Sequence, residues 1–544
     1  MGYSEAVRKS QARQQSVVGL SPHGHAEGEA GRDLKPCSCS SASFNPPPLD
    51  IDSSRETGAD MVNLVLLAVA VGVMVCVPVD HFAISPPSSN VPGLNPNQLG
   101  FMDHIDHIVF VVMENHAYDN FFGTYCQLQS PVCPAIGNGL PGDTCVPYNP
   151  TYAYGACIRP WNFTAKNWSL ATPLPHTYLA SHAAWNNGLM DGFYAAEGSG
   201  LDPFGHYNGS TVPIYWDLAQ EYELADNFYS SILSYSLPNH WHIVAGQAPQ
   251  IIAGNSTIGC PTCNGTYVAQ RDRLYLSEAN HTRSIEDLLL NSDVSWKYYD
   301  FTLGSYSHAI GITLNQTTGR IGWAGHAFNL LNPQAAKAES YNASFTSHFV
   351  YNTQFYGDAR NGTLPSLSWL IPPRLFSDHP PQNSTLAQTW LASVVDAVEA
   401  SPDWNTTALY ITWDDYGGFY DHVDPPTYAG WQLGFRVPLI VVSPYTRAGA
   451  ITSSFGFFES VLRLMEWRFG LGCITFLDCR APLPIFGFDW SQTPRAPMMF
   501  PTDFSLASYP YSPDWNESGS LQPRSYAAPT EFTYLPNGQG PDVD

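Results

Sequence analysis

Two short runs in this chain end in the same way. "HIVFVVM" at 107–113 is followed by Glu114 and Asn115, and "ALYITW" at 408–413 by Asp414 and Asp415. Runs this short, rich in β-branched and aromatic residues, fit strands buried on both faces better than helices. "RVPLIVVSP" at 436–444 reads as a third strand of the same kind. Buried strands of this type belong to parallel sheets, which need long crossovers, usually helical. Helical patterns do lie between them: "HTYLASHAAWNNGLMDGF" at 176–193, "SIEDLLLNS" at 284–292 and "LAQTWLASVVDAVEAS" at 386–401. The expected fold is α/β, a three-layer α/β/α sandwich around a mostly parallel sheet. The Cys-rich stretch 126–160 and the Asn/Gly/Tyr-rich stretch 250–350 read as irregular insertions.

Composition changes sharply along the chain. Residues 1–60 lack apolar periodicity and are expected to be disordered, or a mistranslated leader if synthesis starts at Met61. "MVNLVLLAVAVGVMVCVPV" at 61–79 reads as a signal peptide, or as a short membrane anchor giving membrane association. A Pro/Ser/Asn linker is expected over 80–104, a folded domain over 105–490 and an extended tail over 491–544.

The formal net charge of −24 argues against nucleic acid as a partner, since no basic footprint is available. Eight of the 11 cysteines follow the apolar segment: Cys126, Cys133, Cys145, Cys157, Cys260, Cys263, Cys473 and Cys479. An even set in local clusters suits disulfides in an oxidising compartment, and the lone Cys260-x-x-Cys263 has no second half for a zinc site. Twelve Asn-x-Ser/Thr sequons follow residue 80. An extracellular or cell-surface glycoprotein, secreted or anchored by 61–79, is the expectation.

Ligands in open α/β sheets bind beyond the carboxyl ends of the strands. Glu114, Asn115, Asp414 and Asp415 would therefore converge there as an oxygen-rich cage for one divalent metal: calcium, magnesium, manganese or zinc. Acids after strands also serve as ordinary helix caps, and two such pairs weaken that reading. "DNFYSSILSYSLPNHWHIVAGQ" at 226–247 offers a hydroxyl to the cage. Pro238 disfavours helix at Leu237, which would hold Ser236 on a turn, and beside a divalent cation a serine becomes a nucleophile. Ser230, Ser231 and Ser234 compete with it. For His422, His240 and His182 the expected role is in a turn or behind the site.

Four blocks together, "IDHIVFVVMENHAYDNFFG", "SLPNHWHIVAG", "SDHPPQNS" and "TWDDYGGFYDHVDPP", resemble the signatures of the phosphoesterase family of bacterial phospholipases C and acid phosphatases. The resemblance covers roughly 105–470 and implies an alkaline-phosphatase-like core. It implies that Glu114 and Asn115 contact metal and phosphate, that Ser236 is the nucleophile, and that Asp414 and Asp415 complete the metal site with Ser236. His176 and His379 match histidines at the phosphate or leaving group, and either could protonate the leaving alcohol. A further substrate-binding histidine is matched by His308, His326 or His348. His116 stands where the family usually has Arg, and Asp414-Asp415 where many members have Asp-Glu. The implied activity is hydrolysis of phosphate esters through a phosphoseryl intermediate, with a phospholipid or a small phosphomonoester as substrate. Two rivals remain: a sulfatase, whose x-Pro-x-Arg signature is missing at Ser236, and a non-catalytic glycosylated surface protein on the same fold.

Overall fold

Eight strands form the central sheet of the computed structural model. They are β1 (His107–Met113), β2 (Glu223–Ala225), β3 (Trp296–Asp300), β4 (Phe349–Tyr351), β5 (Leu367–Leu370), β6 (Thr407–Trp413), β7 (Leu439–Val442) and β8 (Ala450–Thr452). Their spatial order is β4-β3-β5-β1-β6-β7-β2-β8. The pairings from β4 through to β6 are all parallel, as is β2 with β8. Only β7 is reversed, running antiparallel to both β6 and β2. Ile108 through Met113 and all of β6 are buried. Alternate residues of a strand face opposite sides, so both faces of the sheet carry a covering layer, as the continuous apolar runs predict.

The described residues are 94–128, 139–147, 157–163, 170, 173–196, 200–248, 283–300, 347–372, 376–382 and 384–500, with strand pieces at 251–253, 256–258, 272–274, 314–315 and 320–321. They all belong to one unit, His81–Asp544; the other, Met1–Asp80, which holds the apolar 61–79 segment, lies outside them. His308, His326, Cys133, Cys260, Cys263 and most of 250–346 also lie outside the described residues. Among the described residues no helix is long and apolar enough to cross a membrane.

Six helices matter below: α1 (Pro96–His104), α2 (Tyr178–Trp185), α3 (Pro213–Glu221), α4 (Ser236–Ala245), α5 (Ser384–Glu399) and α6 (Phe458–Phe469). In α5 the buried residues Ala387, Trp390, Leu391, Val394, Val395 and Val398 recur at three- and four-residue spacing, the stripe a core-facing helix needs. Disulfides join Cys145 to Cys157 and Cys473 to Cys479, and Cys126 is also disulfide-bonded. Short local bridges are what the cysteine spacing suggests.

The sequence-based expectation needs correction at three places. The 436–444 strand is not parallel. Residues 414–438 contain only a two-stranded hairpin, Thr427–Tyr428 with Trp431–Gln432, so no helix returns the chain and β7 must run backwards. The 80–104 linker ends in α1. Asn95 and Gln98 cap that helix reciprocally at 2.9 Å, Pro96 occupies its first turn, and Phe101 is fully buried beside Phe488 and Trp490. The tail, expected to be extended and either packed on the surface or loose, keeps that reading over 491–500: Phe500 N–H donates to Asp396 at 2.6 Å, and Arg495 pairs with Glu221 at 2.9 Å. Lastly, Ser236 is the first residue of α4, not part of a turn. Proline is tolerated in the first helical turn because the N–H it lacks there would have no intrahelical partner.

Candidate active site

β1 and β6 are adjacent and in register, with Met113 opposite Trp413. The two polar pairs therefore leave the sheet side by side at its carboxyl edge, and Asp414 N–H donates to the Met113 carbonyl at 3.0 Å. Asp414 Oδ1 accepts the N–H groups of Asn115 and Asp415, both at 2.8 Å. This stitch places Asn115 in the left-handed region (φ 57°), a conformation Asn adopts more readily than most residues. Gly417 (φ 60°) approaches so closely that a Cβ there would lie 2.2 Å from the Asn115 carbonyl oxygen, so no other residue fits. Its N–H donates to Asp415 Oδ1 at 2.6 Å, leaving Oδ2 to face the site.

Ser236 meets that second oxygen. Its Oγ lies 3.2 Å from Asp415 Oδ2 and 3.3 Å from Asn115 Oδ1. As the first residue of a ten-residue helix, it sits where the helix dipole favours negative charge. Two of the three competing serines are turned elsewhere. Ser230 Oγ donates to the Phe435 carbonyl and Ser231 Oγ to Glu459 at 2.5 Å, while Ser234 is buried with no hydrogen bond to these residues.

His176 completes this side. Its Nδ1–H donates to the Leu174 carbonyl at 2.6 Å, which directs Nε2 inward, 3.4 Å from Asn115 Nδ2 and 3.9 Å from Asp415 Oδ2. His379 reaches the same end of the sheet from the segment after β5, where the Ser377 carbonyl accepts the N–H of Glu114 at 2.8 Å. Between Ser377 and His379, Asp378 (φ 75°) is anchored to β6 and α3: its Oδ2 accepts Trp413 Nε1–H at 2.9 Å and Tyr215 O–H at 2.6 Å. Burial pushes the Asp378 carboxyl up to about 7 against those hydrogen bonds. Of the three candidates for the third histidine, only His348 is among the described residues, and it lies away from this edge. His348 precedes β4, at the amino end of the sheet, stacked on Trp296 at 4.2 Å. His308 and His326 lie outside the described residues.

His240, expected in a turn or behind the site, instead lies within it. Its Nε2 lies 3.1 Å from Glu114 Oε1 and 3.3 Å from Asp414 Oδ2, all three side chains being buried. Burial opposes its charge, but hydrogen bonds and charge from Asp414 and Glu114 prevail and raise it to about 9. Glu114, His240 and Asp414 present ligand atoms within 4.8 Å of one another, the spacing of a metal site. The available signal is positional: residues four apart on a helix share a face, so a helix beginning at Ser236 presents His240 beside it. The donor set consequently differs from the expected all-oxygen cage. Glu114 and Asp414 group with an imidazole, while Asp415 and Asn115 contact Ser236 directly.

The charge balance supports a cation there. Glu114, Asp414 and Asp415 are fully buried together, faced by two imidazoles, His240 at Glu114 and Asp414 and His176 at 3.9 Å from Asp415. Burial, with the charge of Asp414 second, pushes Asp415 well above the usual carboxylate range. Mixed oxygen and nitrogen donors in a buried acidic cluster fit a divalent ion.

His116 contributes no charge. It is buried, stacked on Phe419 at 4.9 Å, and hydrogen-bonded to Asn120 and to the Asp378 carbonyl; burial lowers it to about 3. His182 lies back along α2, its Nδ1–H donating to the Tyr178 carbonyl at 2.8 Å. His422 sits behind the site in a cluster with Asp119 and Asp421 that also has metal-like spacing. That cluster already holds a cation. The buried Arg436 guanidinium donates to Asp421 at 2.9 Å and to Asp119 at 2.8 Å, and His422 Nδ1 lies 2.6 Å from Asp119. Arg436 also donates to the Asp226 carbonyl just after β2, so one side chain ties the loops after β1, β6 and β2 together.

Comparison with known proteins gives one family. The sequence model of the Phosphoesterase family matches residues 105–472. The non-hemolytic phospholipase C of Burkholderia pseudomallei (strain K96243) is 28% identical over 411 residues, 68% of this chain but only 56% of that protein. Phospholipase C A of Mycobacterium tuberculosis is 27% identical over 414 residues, 68% of this chain and 74% of that protein. A solved alkaline-phosphatase-superfamily protein from Vibrio parahaemolyticus aligns with 10% identity and a TM-score of 0.31 over 71% of this chain and 75% of that one.

Proposed function

Because this chain belongs to the phosphoesterase family, we propose that it is an exported, metal-dependent phosphoesterase that hydrolyses phospholipids or small phosphate esters with Ser236 as nucleophile. The observation that carries this reading is the position of Ser236 Oγ, at a helix N-terminus and within hydrogen-bond distance of both Asn115 and Asp415. Named phospholipases C among the relatives and the disulfides add support for ester hydrolysis and for export, respectively.

A divalent cation held by Glu114, Asp414 and His240, with Asn115 and Asp415 beside it, would supply positive charge to the Ser236 oxygen and to a phosphoryl oxygen. Asp415 Oδ2 is placed to take the Ser236 proton. Ser236 Oγ then bonds to phosphorus as the bond to the leaving alcohol breaks. Asn115 Nδ2 is the neutral donor that can hold a phosphoryl oxygen. His176 presents Nε2 to the same space, and either it or His379, when protonated, gives the alcohol its proton. Water attacking the phosphoserine from the vacated side would release phosphate or phosphomonoester with retention at phosphorus.

A panel of phosphatidylcholine, an aryl phosphomonoester and an aryl phosphodiester, assayed across pH with and without chelator, tests the reading. Hydrolysis that stops on chelation and returns with a divalent ion is expected. No hydrolysis of any ester, and no phosphate incorporated at Ser236, would instead favour a non-catalytic surface protein.

A further inference from the structure

The chain that delivers Ser236 is a loop, not a strand or a helix. Residues 230–235 run from the short strand Phe228–Tyr229 to the start of α4, and all six are buried. A buried loop must find partners for its backbone N–H and carbonyl groups inside the protein, because none can turn to water. Its first two residues lean on the neighbouring hairpin. Ser230 N–H donates to the Phe435 carbonyl at 3.0 Å, and the Ser230 carbonyl accepts Gly434 N–H at 2.9 Å. The Ser231 carbonyl accepts Trp431 Nε1–H at 2.7 Å.

The rest of the loop converges on one side chain. Asn239 Oδ1 accepts the N–H groups of Ser231 and Ile232, both at 3.1 Å. Asn239 Nδ2 donates to the carbonyls of Ser234 and Tyr235 at 3.1 Å and of Ile232 at 3.3 Å. One orientation of the amide satisfies all five contacts, since the reverse would set N–H against N–H and oxygen against oxygen. Asn239 is fully buried, so water does not share these bonds. A carboxylate in its place would face three carbonyl oxygens with nothing to donate. An aliphatic side chain would remove all five bonds.

The grip falls just ahead of the candidate nucleophile. The N-cap of α4 is Tyr235, whose side chain does not cap the helix. A capping side chain ordinarily fixes where a helix begins, from outside its first turn. In α4 that task is done from inside the helix, by Asn239 reaching back to the two peptides that precede Ser236. Residues three apart on a helix are neighbours on its surface, so Asn239 lies beside Ser236, and the residue after it is His240, between Glu114 and Asp414.

We propose that Asn239 is a positioning residue for the reaction: by holding the Ser234 and Tyr235 carbonyls it fixes where α4 begins and so aims the Ser236 hydroxyl at Asp415 and at the phosphorus of a bound ester. The proposal rests on the phosphoesterase reading with Ser236 as nucleophile. Ser236 Oγ has little latitude, at 3.2 Å from Asp415 Oδ2 and 3.3 Å from Asn115 Oδ1. A nucleophile displaced by about 1 Å loses roughly a hundredfold in rate. Asn115 and His176, which would meet the substrate, come from other segments, so the loss should fall on kcat rather than KM.

The test compares the full chain with Asn239→Ala and Asn239→Asp on an aryl phosphate ester. Competent sites are counted by calorimetric titration with inorganic phosphate, and bound divalent ion is measured on each protein. In both variants kcat per phosphate-binding site should fall about a hundredfold, with KM within roughly threefold and the ion content unchanged. Hydrogen exchange read by mass spectrometry separates the two halves of the amide. The Ser231 and Ile232 amides should exchange at least about tenfold faster in Asn239→Ala but stay protected in Asn239→Asp, which keeps the acceptor. A merely structural role predicts the opposite kinetics, fewer competent sites with kcat per site unchanged. A kcat per site within about threefold of the parent in both variants overturns the proposal and leaves the phosphoesterase reading standing. Should Asn239→Ala not fold, Asn239→Asp carries the kinetic test. A parent that cleaves no ester would remove the phosphoesterase reading, and unaltered exchange in Asn239→Ala would overturn the tether in either case.

Discussion

Arg436 offers the sharpest test of how this site is held. Replacing it with Met keeps much of the side chain's volume but removes the guanidinium from between Asp119 and Asp421, both buried. It also removes the donor to the Asp226 carbonyl and a cation over the Tyr118 ring at 4.5 Å. Breaking a buried pair on one side costs about 3–5 kcal/mol, because the charges left behind have neither water nor partner. With an unfolding entropy of roughly 2.1 cal/mol/K per residue over some 400 residues, that is a fall in Tm of about 4–6 °C.

The penalty should depend on pH, and the sign follows from the neighbours. Burial disfavours charge on His422, but Asp119 outweighs it and raises the imidazole above its ordinary value. A raised histidine stabilises the fold fully below its unfolded pKa, and that contribution is lost as pH rises through the folded value. Without Arg436, His422 is the remaining cation facing the two carboxylates. The variant should therefore lose least near pH 5, where His422 is charged and the carboxylates can take up protons, and most near pH 8. Urea denaturation of parent and variant at both pH values measures this. A penalty below about 1 kcal/mol, or one equal at both, would refute the idea that Arg436 balances this cluster.

Three further outcomes are expected. Ser236→Ala should leave the fold intact and reduce turnover at least a thousandfold with no covalent phosphoenzyme; a few per cent residual activity would point to direct attack by water. His240→Ala should lower both the content of bound divalent ion, measured on the purified protein, and the rate, whereas full metal content in this variant would exclude imidazole as a ligand. Glu223 is buried in β2, and burial raises its carboxyl to about 8 against the opposing Gly487 N–H and Arg447. The native state then holds a proton the unfolded chain lacks between pH ~4.5 and 8, so stability falls as pH rises through that window by at most a few kcal/mol. Glu223→Gln should flatten that fall, and identical pH–stability curves would show that Glu223 is not its source.

What the sequence by itself determined is local. The apolar runs at 107–113 and 408–413 are strands because β-branched and aromatic residues bury well on both faces of a pleat, and the polar pairs after them mark where each leaves the core. The helical stripe of α5 was equally legible, since its period of three and four reports a single buried face. The four blocks carried the family and, with it, Ser236 among four nearby serines.

What the tertiary structure decided is mutual placement. The register that sets Met113 opposite Trp413 brings Glu114 and Asp414 together across some 300 residues of chain, and nothing within either run encodes that pairing. The reversal of β7 follows from a missing crossover helix, visible only once the 414–438 segment is folded. His240 was expected in a turn or behind the site because Pro238 suggests a turn, while in the fold that proline lies in the first turn of a helix that swings the imidazole between two carboxylates. Arg436 reads as one scattered arginine until burial removes water and leaves Asp119 and Asp421 as its partners. Short-range preferences choose the elements, but charges buried together must be satisfied by whatever the chain brings near them, and that is a property of the assembled fold.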